Sequence, residues 1–368
     1  MSLSTRAAAE TPTPELPDSM RVSVLRVPAT RGGNADGAAD QTVPNQLSVD
    51  ERPLPQLAPN EVLVRVAAVG VCGSDVHYFR HGRIGQFVVE EPLVLGHEAS
   101  GTIAAVGASV DPARIGQRVS IEPQKPCRRC EQCKQGRYNL CPDMAFYATP
   151  PVDGAFAEYV AIESDFAHAV PDAVSDEAAA LMEPLSVGIW ACRKAGVGTG
   201  QRVLVAGAGP IGVIIAQVAR AFGASAVYIS DIAQDRLDFA ARHGATHTLH
   251  ASQSVDGLGV DAFIDASGAP GAVRAGIRAV APGGRAVLVG MGAEDVELPV
   301  GVIQNREIWL TGVFRYANTW PTAISLVAEG KVDLDVLVTH EFGLGQVREA
   351  LDAGREPGAL KAMVQPWR

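Results

Sequence analysis

The stretch VLVAGAGPIGVIIAQ (203–217) places a strand-like run directly before a helix-like run, with three glycines spaced G-x-G-x-x-G at the junction. Gly207 permits the tight turn, Gly209 lets the backbone approach a pyrophosphate, and Gly212 lets helix and strand pack closely. The N–H groups of the following helix, which begins around Ile211, would face the phosphates. The stretch therefore predicts a dinucleotide-binding βαβ unit; the alternative is a glycine-rich turn without a ligand.

A second strand-like run, 226–230, ends just before Asp231, which lies 19 residues beyond Gly212. An acidic residue at this spacing accepts hydrogen bonds from the ribose hydroxyls of NAD. It would oppose the 2′-phosphate of NADP, because like charges ~4 Å apart at an effective dielectric of ~20 cost about 4 kcal/mol. We therefore expect NAD, with Arg236 near the adenosine. The alternative for Arg236 is a solvated helix residue.

The rest of the second half repeats this alternation of strands and helices. The strand candidates are 202–206, 226–230, 262–265, 286–290 and 308–311, and the late helix candidates are 321–329 and 345–353. The first half is β-rich, with strand candidates at 61–69, 99–106 and 118–121. The pattern predicts an α/β fold with a Rossmann-type doubly wound parallel sheet. A chain of 368 residues is also longer than one core usually organises, so we expect a second, β-rich domain.

The net charge of −10 argues against nucleic acid and anionic membranes as partners. The longest uncharged run, 203–219, has 17 residues and is broken by glycines, so no transmembrane segment is expected. The first residues lack the apolar core of a secretory signal, and a reducing, cytoplasmic location follows. Residues 1–20 are expected to be disordered, and 29–45 is expected to form a mobile loop.

Four of the six cysteines fall within 15 residues, in the spacing C-x2-C-x2-C-x7-C. They are Cys127, Cys130, Cys133 and Cys141. Four thiolates at this spacing can surround one tetrahedral zinc with no open position, which is a structural site. One alternative is an iron–sulfur cluster, from whose usual spacing the seven-residue gap departs. Another is a nucleic-acid-binding zinc module, which the net charge opposes.

Three shorter motifs carry side chains that could form a second metal site. They are CGSDVHY (72–78), GHE (96–98) and MEP (182–184). A thiolate from Cys72, an imidazole from His97 and a carboxylate would leave one coordination position of zinc open, which is the catalytic arrangement. Spacing alone leaves open that Cys72 is a core residue and that His97 is a hydrogen-bonded structural residue.

Together these stretches resemble the medium-chain zinc dehydrogenases, and within them the polyol (sorbitol/xylitol) branch. The resemblance extends from about Val62 onward. It is carried by VCGSDVHYFRHGRIG, LGHEASGTIAAVG, GRYNLCP, YATPPVDG, EPLSVGIWACR, AGAGPIG and GVFRYANTWP. The insertion 29–45 departs from the pattern and puts the first hairpin in doubt. The resemblance implies a GroES-like catalytic domain over 1–186, an NAD-binding Rossmann domain over 187–313 and a C-terminal segment, 314–368, that returns to the catalytic domain.

The resemblance further implies that Cys72, His97 and Glu98 hold a catalytic zinc. Glu183 would reach the metal itself or a water bound to it, and whether Glu98 or Glu183 is the third ligand stays open. The four-cysteine lobe, 127–141, would hold a structural zinc.

The same resemblance assigns positions to the substrate and the cofactor. The substrate-pocket positions are Tyr78, Phe146, Thr149, Glu183, Arg315 and Tyr316, and the further cofactor positions are Val289, Gly290, Met291, Val313, Phe314 and Arg315. Phe146 could equally be core. In the mechanism we hypothesise, Ser74 accepts the proton of the substrate hydroxyl, His77 relays it toward solvent and Glu183 shares this role.

We therefore expect a zinc-dependent enzyme that transfers hydride from a secondary hydroxyl of a polyol to NAD+ and produces a ketose. A homotetramer or homodimer is implied. The alternatives are a related zinc dehydrogenase for threonine, butanediol or another secondary alcohol, and a non-catalytic NADH/zinc redox sensor.

Overall fold

The second half of the chain forms a parallel sheet covered by helices, as the alternating pattern predicts. The structure, a computed structural model, describes residues 16–28 and 45–368. The strands are β13 (Arg202–Ala206), β14 (Ala226–Asp231), β15 (His247–His250), β16 (Val260–Asp265), β17 (Val280–Leu288) and β18 (Trp309–Gly312). The helices are α5 (Pro210–Ala221), α6 (Gln234–Arg242), α7 (Pro270–Ala279) and α8 (Val300–Asn305).

All neighbours in this sheet are parallel, in the order β15-β14-β13-β16-β17-β18. That order is the doubly wound one, in which the first strand is central and the order reverses beside it. Central β13 is buried on both faces, which explains its continuous apolar run. Ligands bind such sheets at the carboxyl ends of the strands, at the point where the order reverses. The sequence prediction of an α/β Rossmann sheet is confirmed.

The first half is built from short strands and a few short helices. The strands are β1 (Ser19–Arg26), β2 (Gln46–Pro53), β3 (Glu61–Gly70), β4 (Arg83–Ile84), β5 (Phe87–Val88), β6 (Leu93–Val94), β7 (Glu98–Val106), β8 (Arg118–Ile121), β9 (Gln124–Lys125), β10 (Ala145–Phe146), β11 (Tyr159–Glu163) and β12 (Ala167–Ala169). The helices are α1 (Gly73–His81), α2 (Glu131–Lys134), α3 (Asp176–Ala180) and α4 (Met182–Lys194).

The end of the chain returns to the sheet of the first half. It comprises α9 (Trp320–Ala328), β19 (Val338–Gly343), α10 (Val347–Ala353) and β20 (Lys361–Gln365). The strand order is β12-β8-β7-β3-β20-β19, with β11 also paired to β3. β20 runs antiparallel to β3, with Met363 opposite Gly70. The domain boundaries after 186 and 313 remain predictions, and the first of them falls within α4.

Helix α4 connects the two halves through close packing. It follows the short helix α3 and lies against α5 of the parallel sheet. A Cβ atom on Gly188 would lie 2.6 Å from Ile214 Cγ2, so only a glycine permits this approach. α4, at 13 residues the longest helix of the described part, is too short and polar to cross a bilayer.

Two sequence expectations about the N-terminal region need correction. Residues 1–15 and 29–44 lie outside the described residues, and so do the expectations for them. Residues 16–20 are described. Ser19 and Met20 begin β1, and Met20 packs against the hydrophobic core. The prediction that disorder extends through residue 20 was therefore wrong. The first hairpin pairing is present, since β1 pairs antiparallel with β2 along its whole length. Asn45, assigned to the mobile loop, donates to Phe79 O at 2.8 Å.

Candidate active site

Three of the predicted metal ligands meet where β3 and β7 lie side by side. Cys72 follows the end of β3 and caps the N-terminus of α1. His97 directly precedes β7, and Glu98 begins it opposite Gly70 of β3. The Cys72 sulfur, a His97 nitrogen and a Glu98 oxygen lie within 4.8 Å of one another. Neighbouring strands thus bring together residues that are 25 positions apart in the sequence.

Asp75, which the sequence analysis missed, holds this cluster in place. It is fully buried and accepts hydrogen bonds from Cys72 N and Gly96 N, both at 2.9 Å. His97 Nδ1 lies 3.5 Å from Asp75 Oδ1, which leaves Nε2 free to face a metal. Burial alone would raise the pKa of Asp75, but His97 and the two N–H donors outweigh it and keep the pKa below its usual range.

A second residue that sequence reasoning missed is Lys361, at the start of β20. Its Nζ donates to Glu98 Oε1 and Oε2 at 2.7 and 2.8 Å and to Val71 O at 2.9 Å. Burial lowers the pKa of Lys361, but Glu98, together with Cys72 and Glu183, outweighs burial and the net shift is upward, so the ammonium stays charged. Gly70 leaves room for the carboxylate, because a Cβ there would lie 2.0 Å from Glu98 Oε2.

Glu183, in the first turn of α4, lies beside the cluster. Its Oε1 accepts a hydrogen bond from the Tyr316 hydroxyl at 2.7 Å, and both side chains are buried. Burial raises the pKa of Glu183 to about 7, with the charge of Glu98 adding to it and His97 opposing it. A carboxyl with this pKa can hold or release a proton near neutrality.

Polar side chains border the same space. Tyr78 lies on the buried side of α1, and burial raises its pKa, with smaller opposing contributions from the neighbouring Thr149 and Arg315. The Arg315 guanidinium lies over the Phe146 ring, 3.9 Å from its centroid. The Phe146 ring in turn lies 5.7 Å from the His97 ring. The structure therefore gathers the predicted substrate-pocket positions around the metal cluster.

Ser74 and His77 occupy the first two turns of α1. Ser74 lies two residues beyond Cys72 and is half-buried, whereas His77 is exposed and its ring lies 4.6 Å from that of His81. Burial, with a smaller contribution from His81, lowers the pKa of His77. The helix thus runs from the cluster outward to solvent.

The glycine-rich turn borders a cleft of about 540 Å³ at the carboxyl ends of the parallel strands. A Cβ on Gly212 would lie 1.8 Å from Gly207 O, which explains the glycine there. Asp231 ends β14 and accepts from Ala208 N at 2.7 Å. The cleft lining includes Gly207, Gly209, Asp231, Ile232 and Arg236. Ile211 lies in the first turn of α5 and packs against the core.

The remaining cofactor positions follow the ends of β17 and β18. Val289 N and Gly290 N both donate to Asp265 O, so the strand predicted to reach 290 ends at 288. Val313 N donates to Leu288 O, and Phe314 and Met291 are exposed next to this edge. Val313 lies only three residues before Tyr316, whose hydroxyl contacts Glu183. The nucleotide edge therefore adjoins the metal cluster.

The sulfur atoms of the four-cysteine lobe, residues 127–141, also lie within 4.8 Å of one another. Cys127 N donates to Cys141 Sγ at 3.3 Å, while Cys130 N and Cys133 N donate to the sulfurs three residues earlier at 3.4 Å. None of the six cysteines is in a disulfide. Four free thiols cradled by backbone N–H groups fit a closed tetrahedral metal site.

Comparisons with known proteins identify the family. Residues 58–172 match the family model described as the alcohol dehydrogenase GroES-like domain, and 210–329 match the zinc-binding dehydrogenase model. Human sorbitol dehydrogenase is 46% identical over 333 residues, which cover 88% of this chain and 93% of the human protein. The chain belongs to the medium-chain zinc-dependent dehydrogenases. The family expected from the sequence is confirmed.

Two further relatives agree with this assignment. Sorbitol dehydrogenase of Bacillus subtilis shares 42% identity with this dehydrogenase over 88% of the chain and 95% of the bacterial protein. An alcohol dehydrogenase of Escherichia coli CFT073, solved with NADH, superposes with a TM-score of 0.84. That structure is 29% identical and covers 95% of this chain and 100% of its own.

Proposed function

We propose that this dehydrogenase oxidises a secondary hydroxyl of a small polyol to a ketone, with NAD+ as the hydride acceptor. The balance is polyol plus NAD+ to ketose, NADH and one proton. The observation that carries the proposal is the three-donor cluster, which has the polar side chains of Glu183, Tyr78, Arg315 and Tyr316 beside it. A substrate with several hydroxyls needs such partners, because each buried hydroxyl without one is costly. The sorbitol dehydrogenases among the relatives support the same substrate class.

We assign the catalytic zinc to Cys72, His97 and Glu98. Their donor atoms converge, and Asp75 orients the imidazole from behind as a carboxylate does in metal sites. Three protein ligands leave one position for substrate. Glu183 lies outside this convergent group and is hydrogen-bonded to Tyr316, which favours Glu98 as the third ligand. When bound, zinc supplies a Lewis acid that makes the hydroxyl acidic near neutral pH.

Glu183 and α1 offer routes for the released proton. With its pKa raised to about 7, the Glu183 carboxylate can accept a proton near neutral pH, and its Oε1 accepts a hydrogen bond from the Tyr316 hydroxyl. Ser74 lies next to the cluster and His77 at the solvent side, and we retain them as acceptor and relay. If Glu183 accepts the proton, Glu183→Gln should keep less activity than Ser74→Ala. If Ser74 accepts it, Ser74→Ala should keep less activity than Glu183→Gln.

The nucleotide cleft supports NAD as the cofactor. Gly207, Gly209 and Gly212 leave the backbone open to a pyrophosphate at the N-terminus of α5. Asp231 presents a carboxylate where the adenosine ribose would lie, and Arg236 borders the same cleft. The NADH in the similar Escherichia coli structure supports this reading. When bound, NAD+ supplies the hydride acceptor, and the protein supplies alignment.

The lobe supports a second, structural zinc, so about two zinc ions per chain are expected. The experiment that tests the whole proposal is NAD+ reduction across sorbitol, xylitol, ribitol, galactitol, 2,3-butanediol and threonine, with zinc measured per chain. Turnover confined to threonine or butanediol would replace the polyol by one of those alternatives. Absence of turnover in a zinc-replete, NADH-binding protein would favour the redox-sensor alternative.

We also propose a homo-oligomer, a dimer or tetramer, that uses the edge of the parallel sheet. Among the described residues, β18 is the outermost strand of the parallel sheet, and Trp309 on it is 73% exposed. Val300 on helix α8, which precedes β18 in the chain, is also exposed. An uncovered edge strand with a large apolar side chain is suited to pairing with a second copy. Trp309→Glu should lower the mass measured by light scattering; a parent enzyme that is already monomeric would contradict the proposal.

A cytoplasmic location is consistent with the six unpaired thiols.

A further inference from the structure

The segment Phe314–Asn318, which we call the recognition segment, carries two of the proposed polyol contacts in an unusual backbone conformation. Arg315 and Asn318 have φ values of +54° and +56°. Left-handed backbone costs roughly 1–2 kcal/mol for a residue such as arginine. Such a conformation persists only where the surroundings impose it. The contacts that impose it therefore determine where the Arg315 guanidinium and the Tyr316 hydroxyl lie.

Three of the six hydrogen bonds that the described residues give this segment come from the four-cysteine lobe. The other three join Gln124 to Tyr316 O, Arg193 to Asn318 O and the Tyr316 hydroxyl to Glu183. Asn139 Nδ2 donates to Phe314 O at 2.8 Å. Asn318 N donates to Tyr138 Oη at 2.7 Å, and Asn318 Nδ2 donates to Gly136 O at 2.8 Å. The lobe thus holds both ends of the recognition segment, on either side of the two side chains that face the active site.

The lobe is itself anchored. The Tyr138 hydroxyl donates to Glu122 Oε1 at 2.7 Å, and Gln124 Nε2 donates both to Glu122 Oε1 and to Tyr316 O. Glu122, Gln124 and Asn139 are buried. These bonds are shielded from water, so each contributes more to position than an exposed bond would.

The lobe has little other structure to fix these donors. Its regular elements are the four-residue helix α2 and the three-residue 3₁₀ helix Tyr138–Leu140. Helices this short are not stable alone. Asn139 and Tyr138 lie two and three residues before Cys141, and their placement depends on closure of the cysteine cluster.

We infer that the four-cysteine lobe is a positioning device for substrate recognition: Asn139 and Tyr138 hold the recognition segment so that Arg315 and Tyr316 meet the polyol. The inference rests on the proposed function only in naming the polyol as the group that these side chains meet. The lobe then affects substrate affinity although none of its residues reaches the metal cluster. Asn139 and Tyr138 are positioning residues rather than catalytic ones.

The test compares Asn139→Ala with Gln135→Ala. Gln135 lies in the same lobe, but its side chain bonds to Glu131 and to Arg137 rather than to the recognition segment. Loss of one partly buried hydrogen bond predicts a KM for the best polyol about five- to tenfold above that of the parent for Asn139→Ala. We expect kcat within about threefold of the parent, an unchanged zinc content and an unchanged KM for Gln135→Ala. A KM for Asn139→Ala within twofold of that of Gln135→Ala would overturn the inference.

A second readout needs no turnover. Hydrogen–deuterium exchange of the peptide covering 313–319 in the zinc-replete enzyme should be faster in Asn139→Ala than in Gln135→Ala, and equal rates would overturn the inference. If Asn139→Ala does not fold, Tyr138→Phe removes the acceptor of Asn318 N and takes its place in both measurements. A parent enzyme without polyol turnover would overturn the proposed function alone, because the exchange measurement would still decide whether the lobe holds the segment.

Discussion

Replacing Lys361 with methionine is expected to lower the free energy of unfolding of the zinc-depleted enzyme by about 3–5 kcal/mol. The ammonium contacts both oxygens of Glu98 at 2.7 and 2.8 Å, and the two side chains are 6% and 1% exposed. Removing the cation leaves a buried carboxylate without a partner, which accounts for a loss of this size. Methionine is of similar length, so the substitution creates little cavity.

Two further variants separate this charge effect from other causes. Lys361→Met combined with Glu98→Gln removes both charges and should recover most of the loss. Lys331→Met breaks an ion pair with Glu329 in which both side chains are about half exposed, and should leave the free energy of unfolding almost unchanged. Urea unfolding of chelator-treated protein, with the midpoint multiplied by the slope, gives each value. A Lys361→Met variant within 1 kcal/mol of the parent, or a double variant no better than the single one, would refute the reasoning.

Three other outcomes are expected. Cys72→Ser should abolish turnover but keep NADH binding, measured by fluorescence titration, because the thiolate acts only at the metal. If the variant keeps more than a few per cent of the activity once its bound zinc has been removed, the ligand assignment is contradicted. Asp231→Ser combined with Ile232→Arg should shift the ratio of kcat/KM for NADP+ to kcat/KM for NAD+ upward by about a hundredfold or more. A like-charge contact is removed, and a cation is added at a residue that is 80% exposed. An unchanged ratio would show that Asp231 does not contact the ribose. Gly212→Ala should lose NADH binding, because its Cβ would lie 1.8 Å from a carbonyl oxygen of the glycine turn; retention of the parent Kd would show that the turn does not hold the pyrophosphate.

The parallel sheet could be predicted because its signals are local. The glycine turn, the apolar run of β13 and the acidic end of β14 all lie within 30 residues of each other. The short strand β20 could not be predicted in the same way, because its partner β3 lies almost 300 residues earlier and no local pattern encodes that pairing. The β1–β2 pairing was placed in doubt because a loop-like insertion separates its strands, yet the structure contains it.

In the candidate site, too, residues with a local sequence signal could be predicted and residues without one could not. Cysteines and histidines with metal-ligand chemistry are rare enough to be noticed, and the structure brings Cys72 and His97 together. Asp75 had a usable signal, since an acid three residues after a helix cap typically bonds back to the cap, as it does here to Cys72 N. Lys361 had none. A single lysine in an apolar run at the chain end gives no indication that it will lie against a carboxylate 263 positions away.

That long separation bears on how the enzyme is made. β20 is inserted between β3 and β19, and the cation that neutralises Glu98 arrives with it. Lys361 lies almost 300 residues after β3, so Cys72 and His97 are synthesised long before it, and Glu98 lacks this cation until β20 pairs with β3. A variant that ends at residue 360 would therefore keep all four cysteines of the lobe but lack the cation that lies against Glu98.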